Sequence, residues 1–507
     1  MPAPPIPRAA VSSRWPAWGF APVLAGPCCP PCSPDRKSRC PPTDPALMSA
    51  ETLLALYARR ALSPVETLRA VTERVARYNP WVNAFAALNP RALVAAGESE
   101  ARWMAGRPMG LLDGVPSTVK DLLNLAGFPT RRGSKTTDAA PAAEDAPAVL
   151  GLKQAGAVIL GKTTTTEFGW KSPGDCPLHG ITRNPWNRER TPGGSSSGAG
   201  AAGAACFGPL HIGTDAGGSV RIPAAFCGLV GVKPSFGRIP QWPLGAFAHV
   251  ACAGPMTRTV RDAALMFSAM AQHDLRDPFC LPDEPRDWRQ GIEDGVAGLR
   301  VAVVRRLGFE PPLDADGEAA LLGAAKMLEE QGAIVEEADP GLPDTRAIFG
   351  RVWGVALARL VATTPPEKRA LLDQGLAEVA EREGGMSAVD FLGAEALRIE
   401  AAHAMARFHQ RFDILLTAAT PTAAFAADQP TIRPTEALWR DWAPWTFAFN
   451  LTRQPAISVP IGLDEAGMPR AVQVAAALYR DDLAFRAARA LERAAEVPAG
   501  APLAEPA

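Results

Sequence analysis

Two glycine-serine segments and one lysine carry the residue types from which a nucleophilic site can be built. Thr191-Pro192-Gly193-Gly194-Ser195-Ser196-Ser197-Gly198 is followed by Gly213-Thr214-Asp215-Ala216-Gly217-Gly218-Ser219-Val220-Arg221-Ile222-Pro223-Ala224, and preceded by Gly114-Val115-Pro116-Ser117-Thr118-Val119-Lys120-Asp121. Each alone is a weak signal: a Gly/Ser loop commonly serves as a connection, and a lysine after apolar residues commonly snorkels to water. Together they supply a nucleophile and a base. A serine hydroxyl is nearly unreactive at neutral pH and needs a base to activate it. The six histidines form neither a nucleophile elbow nor a metalloprotease pattern. Lysine can replace histidine if burial holds it neutral, because desolvation disfavours the charged form. Lys120 follows Val115 and Val119, which predicts a dry site; the competing reading is a surface ion pair with Asp121. Glycines at 217 and 218 allow backbone N–H groups to converge and a substrate carbonyl to approach closely. Converging N–H groups form an oxyanion hole for a tetrahedral intermediate. Ser219, directly after them, is the predicted nucleophile.

The three segments, together with Phe226-Cys227-Gly228-Leu229-Val230-Gly231-Val232-Lys233-Pro234, closely resemble the amidase signature family. Weaker echoes occur at Leu160-Gly161-Lys162-Thr163, Glu167-Phe168, Asn450-Leu451-Thr452 and Pro455-Ala456-Ile457-Ser458-Val459-Pro460, so the likeness spans about residues 48–495. The resemblance implies an α/β amidase-signature fold, a single large domain whose mixed central sheet is flanked by helices on both faces. It also implies a Ser–cis-Ser–Lys triad. Ser219 attacks the amide carbonyl, Ser195 relays its proton, and neutral Lys120 is the final base. The peptide before Ser195 is expected to be cis, with Gly194 easing the crowding there. Ala216, Gly217, Gly218 and Ser219 would supply the oxyanion N–H groups, with Asp215 and Arg221 as structural supports. No metal or organic cofactor is implied. The expected activity is hydrolysis of a carboxamide C–N bond through an acyl-enzyme. The alternative within the same resemblance is the glutaminase-type A subunit of a tRNA-dependent amidotransferase. Ser197 and Ala199 replace the more frequent Gly and Ser of the first loop and leave Ser195 intact. Arg453 and Ala471 stand where members usually carry Gly; Arg453 is read either as an anion anchor in the substrate pocket or as a solvated loop arginine.

Positioning these groups requires a large core, and the composition provides for one. Of 507 residues, 47% are apolar and 21% charged, with a formal net charge of −1, which excludes a disordered chain. The same balance gives nucleic-acid binding no electrostatic support. No run is long and apolar enough to predict a membrane-spanning helix. Neither nucleic acid nor membrane is therefore an expected partner; the small-molecule amide is the partner that the resemblance implies, and a homodimer is compatible with the reading. Strand-like apolar runs at 157–160, 301–304, 414–416, 456–459 and 472–476 alternate with helical stretches at 318–330, 394–412 and 483–495. Such alternation argues for a sheet layered by helices. Ser63-Pro64-Val65-Glu66 reads as a capping box opening a helix, with Asn79-Pro80 predicted to stop it.

Residues 1–47 differ in texture. They are crowded with proline and hold Cys28, Cys29, Cys32 and Cys40 of the nine cysteines. Zinc at Cys29-x-x-Cys32 lacks a fourth ligand at finger-like spacing, and Pro16 and Pro22 interrupt the apolar stretch that a signal peptide would need. The segment is expected to be a disordered extension or an upstream mis-start with Met48 as the real first residue, the domain to run from 48 to 497, and 498–507 to be a flexible tail. An odd, scattered cysteine set reads as reduced thiols of a cytoplasmic protein. Gly198-Ala199-Gly200-Ala201-Ala202-Gly203 matches a dinucleotide-binding fingerprint literally, but the residues before it are polar and no acidic residue follows at the required distance. Its small residues predict close helix packing behind the serine loop. Trp353, Trp439, Trp442 and Trp445 are read as either walls of an apolar acyl pocket or simple core.

Overall fold

In the computed structural model the residues described are 44–311, 313–433 and 436–503. The cysteine cluster at 28–40 and the question of an extension before residue 44 lie outside them. The strands, in chain order, are β1 (Phe85–Leu88), β2 (Pro116–Lys120), β3 (Val158–Thr163), β4 (Asp175–Cys176), β5 (Gly180–Ile181), β6 (Leu210–Asp215), β7 (Val230–Lys233), β8 (Cys252–Thr257), β9 (Arg300–Val303), β10 (Ile334–Glu337), β11 (Ile414–Ala418), β12 (Ala456–Leu463) and β13 (Pro469–Ala476). All but the β4–β5 pair join one eleven-stranded sheet in the order β1-β3-β2-β6-β8-β7-β12-β13-β11-β9-β10. β2 runs parallel to β3 and β6, and β9 parallel to β10 and β11; the strands between pair antiparallel. The mixed sheet therefore has parallel pairings on both flanks, where helical crossovers are required, and an antiparallel middle.

Side-chain alternation assigns each strand two apolar faces. Val301 and Val303 point into the core shared with the helices Val260–Met270, Ala315–Glu330 and Asp481–Ala494. Ala302 and Val304 point the other way, against Met405, Phe408, Trp445 and Phe449. Burial on both faces is why these strands read as continuous apolar runs rather than as alternating ones. The five strand-like runs and three helical stretches expected from sequence all appear, and the helix expected at 394–412 begins earlier, at Ala388–Phe408, behind the Ser387 cap.

The capping box at Ser63 and Glu66 forms as expected. Asn79-Pro80, however, does not stop the helix: it runs Pro64–Val82 with Pro80 inside its last turn. Only one intrahelical bond is forgone so close to the end, and Tyr78 and Val82 are buried in the apolar cluster there. Asn83 in the left-handed conformation terminates the helix instead, and Asn79 Oδ1 accepts a bond from Ala84 N–H. Described residues on the N-terminal side of 48 pack as well. Asp44 caps a short turn, Pro45–Leu47, whose Ala46 is buried. At the other end, part of the expected tail packs: Ala501 is buried and its N–H bonds Ala204 O. No helix among the described residues is long and apolar enough to cross a membrane.

Candidate active site

Register delivers the lysine. β2 pairs with β6 as Ser117 with Leu210, Thr118 with His211 and Val119 with Ile212. Both strands point the same way, so Lys120 ends β2 beside Thr214 and Asp215, which end β6. The carboxyl ends of parallel strands are where α/β sheets place ligands. Lys120 is fully buried, and its Nζ lies 2.8 Å from Ser195 Oγ, 2.8 Å from Ser196 Oγ, 2.9 Å from Thr214 Oγ1 and 3.3 Å from Thr214 O. Burial pushes the Lys120 amine well below the ordinary lysine range, and the nearby Asp215 charge only partly restores it. Its sequence neighbour is not its partner. Asp121 pairs with Lys162 at 2.7 Å, both side chains buried.

Ser195 reaches the lysine from the first glycine-serine loop. The Gly194–Ser195 peptide is cis, as the resemblance implied. A Cβ on Gly194 would sit 2.9 Å from Ser172 O and 3.0 Å from Thr166 Cγ2, so no larger residue fits there. Ser196 then opens the helix Ser197–Ala204, whose residues are all buried. Its small-residue pattern serves packing: a Cβ on Gly198 would overlap the backbone at Ala84 O and Thr164 N, and Gly203 faces Leu229. The two loops are tied directly, Ser196 N–H donating to Ser219 O at 3.1 Å.

Ser219 is almost buried and lines a cavity of about 100 Å³ together with Ser195, Thr214 and Ala216. Of the four predicted oxyanion donors one is already engaged, since Gly218 N–H donates to Asp215 Oδ1 at 2.7 Å. The N–H groups of Ala216, Gly217 and Ser219 have no hydrogen-bond partner among the described residues. Gly218 has a φ of +123° and a Cβ there would overlap Thr446, so only glycine is accommodated. Thr446 Oγ1 in turn donates to Gly217 O at 2.7 Å.

Asp215 and Arg221 brace this loop from below. Arg221 Nε and Nη2 each lie 3.0 Å from one Asp215 oxygen, a bidentate pair with both side chains buried. The remaining guanidinium hydrogens reach Thr446 O, Gln473 Oε1 and Asn450 Oδ1. Asn450 Nδ2 donates back to Asp215 O and Oδ1. Burial alone would raise the Asp215 carboxyl, but the Arg221 charge and the hydrogen bonds outweigh it and hold it well below the usual carboxylate range.

Lys120, Ser195, Ser219, Asp215 and Arg221, singled out from sequence, come together in space around one cavity and its support. Sequence reasoning missed Ser196, Thr214, Thr446 and Gln473. Ser196 and Thr214 stand within the motifs, but only register and loop geometry aim their hydroxyls at Lys120. Two readings left open in the sequence are decided here. The tryptophans at 353, 439, 442 and 445 do not line the cavity; they are core behind it, with Trp353 stacked 3.8 Å from Phe247, which does line it. Arg453 is not a pocket anchor either. Its φ is +65°, its guanidinium donates to His249 O, and it lies 4.2 Å over the Phe236 ring, outside the cavity lining. Ala471 packs with Ala225 and Ala419.

With this geometry in place, the relationships are unambiguous. The Amidase family model matches residues 66–484, and the chain belongs to that family, the amidase signature hydrolases of C–N bonds. It is 36% identical over 454 residues to an acylamidase of Rhodococcus erythropolis, covering 88% of this chain and 95% of that protein. It is 33% identical over 470 residues to the A subunit of the glutamyl-tRNA(Gln) amidotransferase of Geobacter metallireducens, covering 86% and 95%. The crystal structure of a bacterial aryl acylamidase superposes with a TM-score of 0.82 at 28% identity, covering 88% and 96%.

Proposed function

We propose that the protein is an amidase that hydrolyses the C–N bond of a carboxamide through an acyl-enzyme on Ser219. The observation that carries this reading is the fully buried Lys120 amine, 2.8 Å from Ser195 Oγ, in a shell of hydroxyl and carbonyl oxygens. A protonated amine must donate three bonds; a neutral one donates two and keeps a lone pair. The Ser196 hydroxyl is occupied, donating to Thr214 O and accepting from Thr214 N. Ser195 Oγ has no partner besides Lys120 among the described residues, so its proton is free to point at the Nζ lone pair.

Ser219 Oγ attacks the carbonyl carbon as its proton passes to Ser195 Oγ, and the Ser195 proton passes to Nζ. The new oxyanion falls to the free N–H groups of Ala216, Gly217 and Ser219, which act strongly in a dry site. Collapse of the intermediate breaks the C–N bond; Lys120 returns its proton through Ser195 to the leaving nitrogen. Water then repeats the attack on the ester with the same relay, releasing the acid and freeing Ser219. No step needs a metal or a redox partner.

Ammonia or amine release from a panel of aliphatic, aromatic and amino-acid amides tests the reading, with intact-mass detection of an acyl adduct. Ser219→Ala is expected to abolish turnover and the adduct while leaving the melting transition in place; retention of most activity would refute the assignment. The second reading, the A subunit of an amidotransferase, draws on the comparable identity to the Geobacter metallireducens protein. Strict glutaminase activity and co-purification with a partner would favour it.

A further inference from the structure

The cavity beside Ser219 has one charged lining residue among those described, and it is Arg132. The rest of the wall is apolar or neutral, with Leu122, Phe168, Phe247 and Leu360 contributing side chains. Arg132 is held there by its backbone. Its φ is +54°, in the left-handed region that residues other than glycine seldom adopt. Its N–H donates to Asp121 O at 3.1 Å and its O accepts from Phe168 N at 2.8 Å, so the chain is pinned on both sides of the Cα. Residues held in such backbone geometry cluster at active sites and ligand clamps.

The guanidinium itself has no hydrogen bond or ion pair among the described residues, unlike the arginines that brace the fold. The acid whose charge acts on it does not bond it. Asp121 acts on Arg132 through space, but its Oδ1 is bonded to Lys162 and neither of its oxygens bonds Arg132. The acid thus already has its counter-charge, and Arg132 is surplus to it. A partly desolvated guanidinium with five unused donors is a strong site for a carboxylate, which it can grip through two parallel bonds.

We propose that Arg132 is a specificity residue that anchors a carboxylate on the amide substrate, selecting amides that carry an acid group and no ammonium. This rests on the amidase reading above and names the substrate class within it. The second half follows from the same wall: no acidic side chain faces the cavity to receive an ammonium, so a free amino-acid amide or glutamine leaves its cation unpaired in an apolar space. A monoamide of a dicarboxylic acid meets both requirements.

The test compares matched pairs, adipic acid monoamide against hexanamide and succinic acid monoamide against butanamide, by kcat/KM. The wild-type enzyme should favour the acid member of at least one pair. Arg132→Gln should collapse that preference roughly tenfold or more, chiefly through KM, and Arg132→Lys should restore part of it. A merely structural role would lower both members together and leave their ratio intact, which overturns the proposal, as does a wild-type preference for the neutral members. Calorimetric titration of Ser219→Ala with adipic acid monoamide and with hexanamide gives an independent measure, valid even if Arg132 variants fold poorly. Tighter binding of the acid supports the anchor, and equal or weaker binding overturns it. Failure of the amidase reading looks different: wild-type protein then releases ammonia from no amide, while the binding preference can still be read.

Discussion

Lys120 shows how denying a side chain water favours its uncharged amine. Every polar atom bonded to its Nζ is a hydroxyl or a carbonyl rather than a carboxylate, and the Asp215 charge, acting through space, repays the cost of charging it only in part. The proposed relay requires the unprotonated amine. As pH falls through its depressed value kcat/KM should fall, giving an acid limb well below the ordinary lysine range. Lys120→Ala should lose that limb together with most of its turnover at neutral pH, as read from pH–rate profiles of the two proteins. Asp215 and Arg221 follow the opposite logic, since each is buried charged because the other is there. Asp215→Ala leaves a buried guanidinium unpaired and should destabilise the fold by about 3–5 kcal/mol in urea titrations. These residue types and their order could be read directly from the chain. Their partners Thr446, Asn450 and Gln473 could not, because they lie over 200 residues away in sequence.

At the scale of elements, the helix Ser197–Ala204 sets the position of the serine loop by packing closer than side chains allow. Gly198→Ala pits two effects against each other. Alanine is the better helix former by about 1 kcal/mol, but its Cβ would overlap the backbone of Ala84 and Thr164. Both obstacles are main chain and cannot rotate away. Overpacking costs typically about 1–3 kcal/mol, so the variant should be net less stable, and displacement of Ser195 should lower kcat. Chemical denaturation and steady-state kinetics check both. By contrast, Ser63→Ala removes only a local cap on the helix Pro64–Val82 and should cost about 1 kcal/mol with kcat unchanged. That cap was legible because all its parts lie within four residues. The persistence of the same helix through Pro80 was not, because it depends on the burial of Val82 against distant neighbours.

Across the whole molecule, distant segments cap one another, and this makes stability depend on pH. The Asp262 carboxylate accepts the N–H groups of Ala50 and Glu51, closing the first turn of the helix Ala50–Ala58 from 212 residues away. Burial raises its carboxyl from 3.8 to about 6, the two backbone bonds only partly opposing this. Between those values the folded state binds the proton more tightly than the unfolded chain, so this group's contribution to stability falls as pH rises through the window. Asp262→Asn should remove that decline, seen as a flatter plot of unfolding free energy between about pH 4 and pH 6.

The order of the glycine-serine segments, the apolar strands and the helix caps are written in short stretches of chain, and the amino-acid sequence by itself determined them. With them came the family and the choice of Lys120, Ser195 and Ser219 as the residues of the proposed relay. Whether a polar group is spent or free was decided only by tertiary structure. Gly218 N–H is taken by Asp215, Asp121 by Lys162 and Arg453 by His249 O, while Arg132 keeps its donors for the cavity. Hydrogen-bond saturation and dryness are sums over neighbours from many strands and loops, and no local window of residues contains those neighbours.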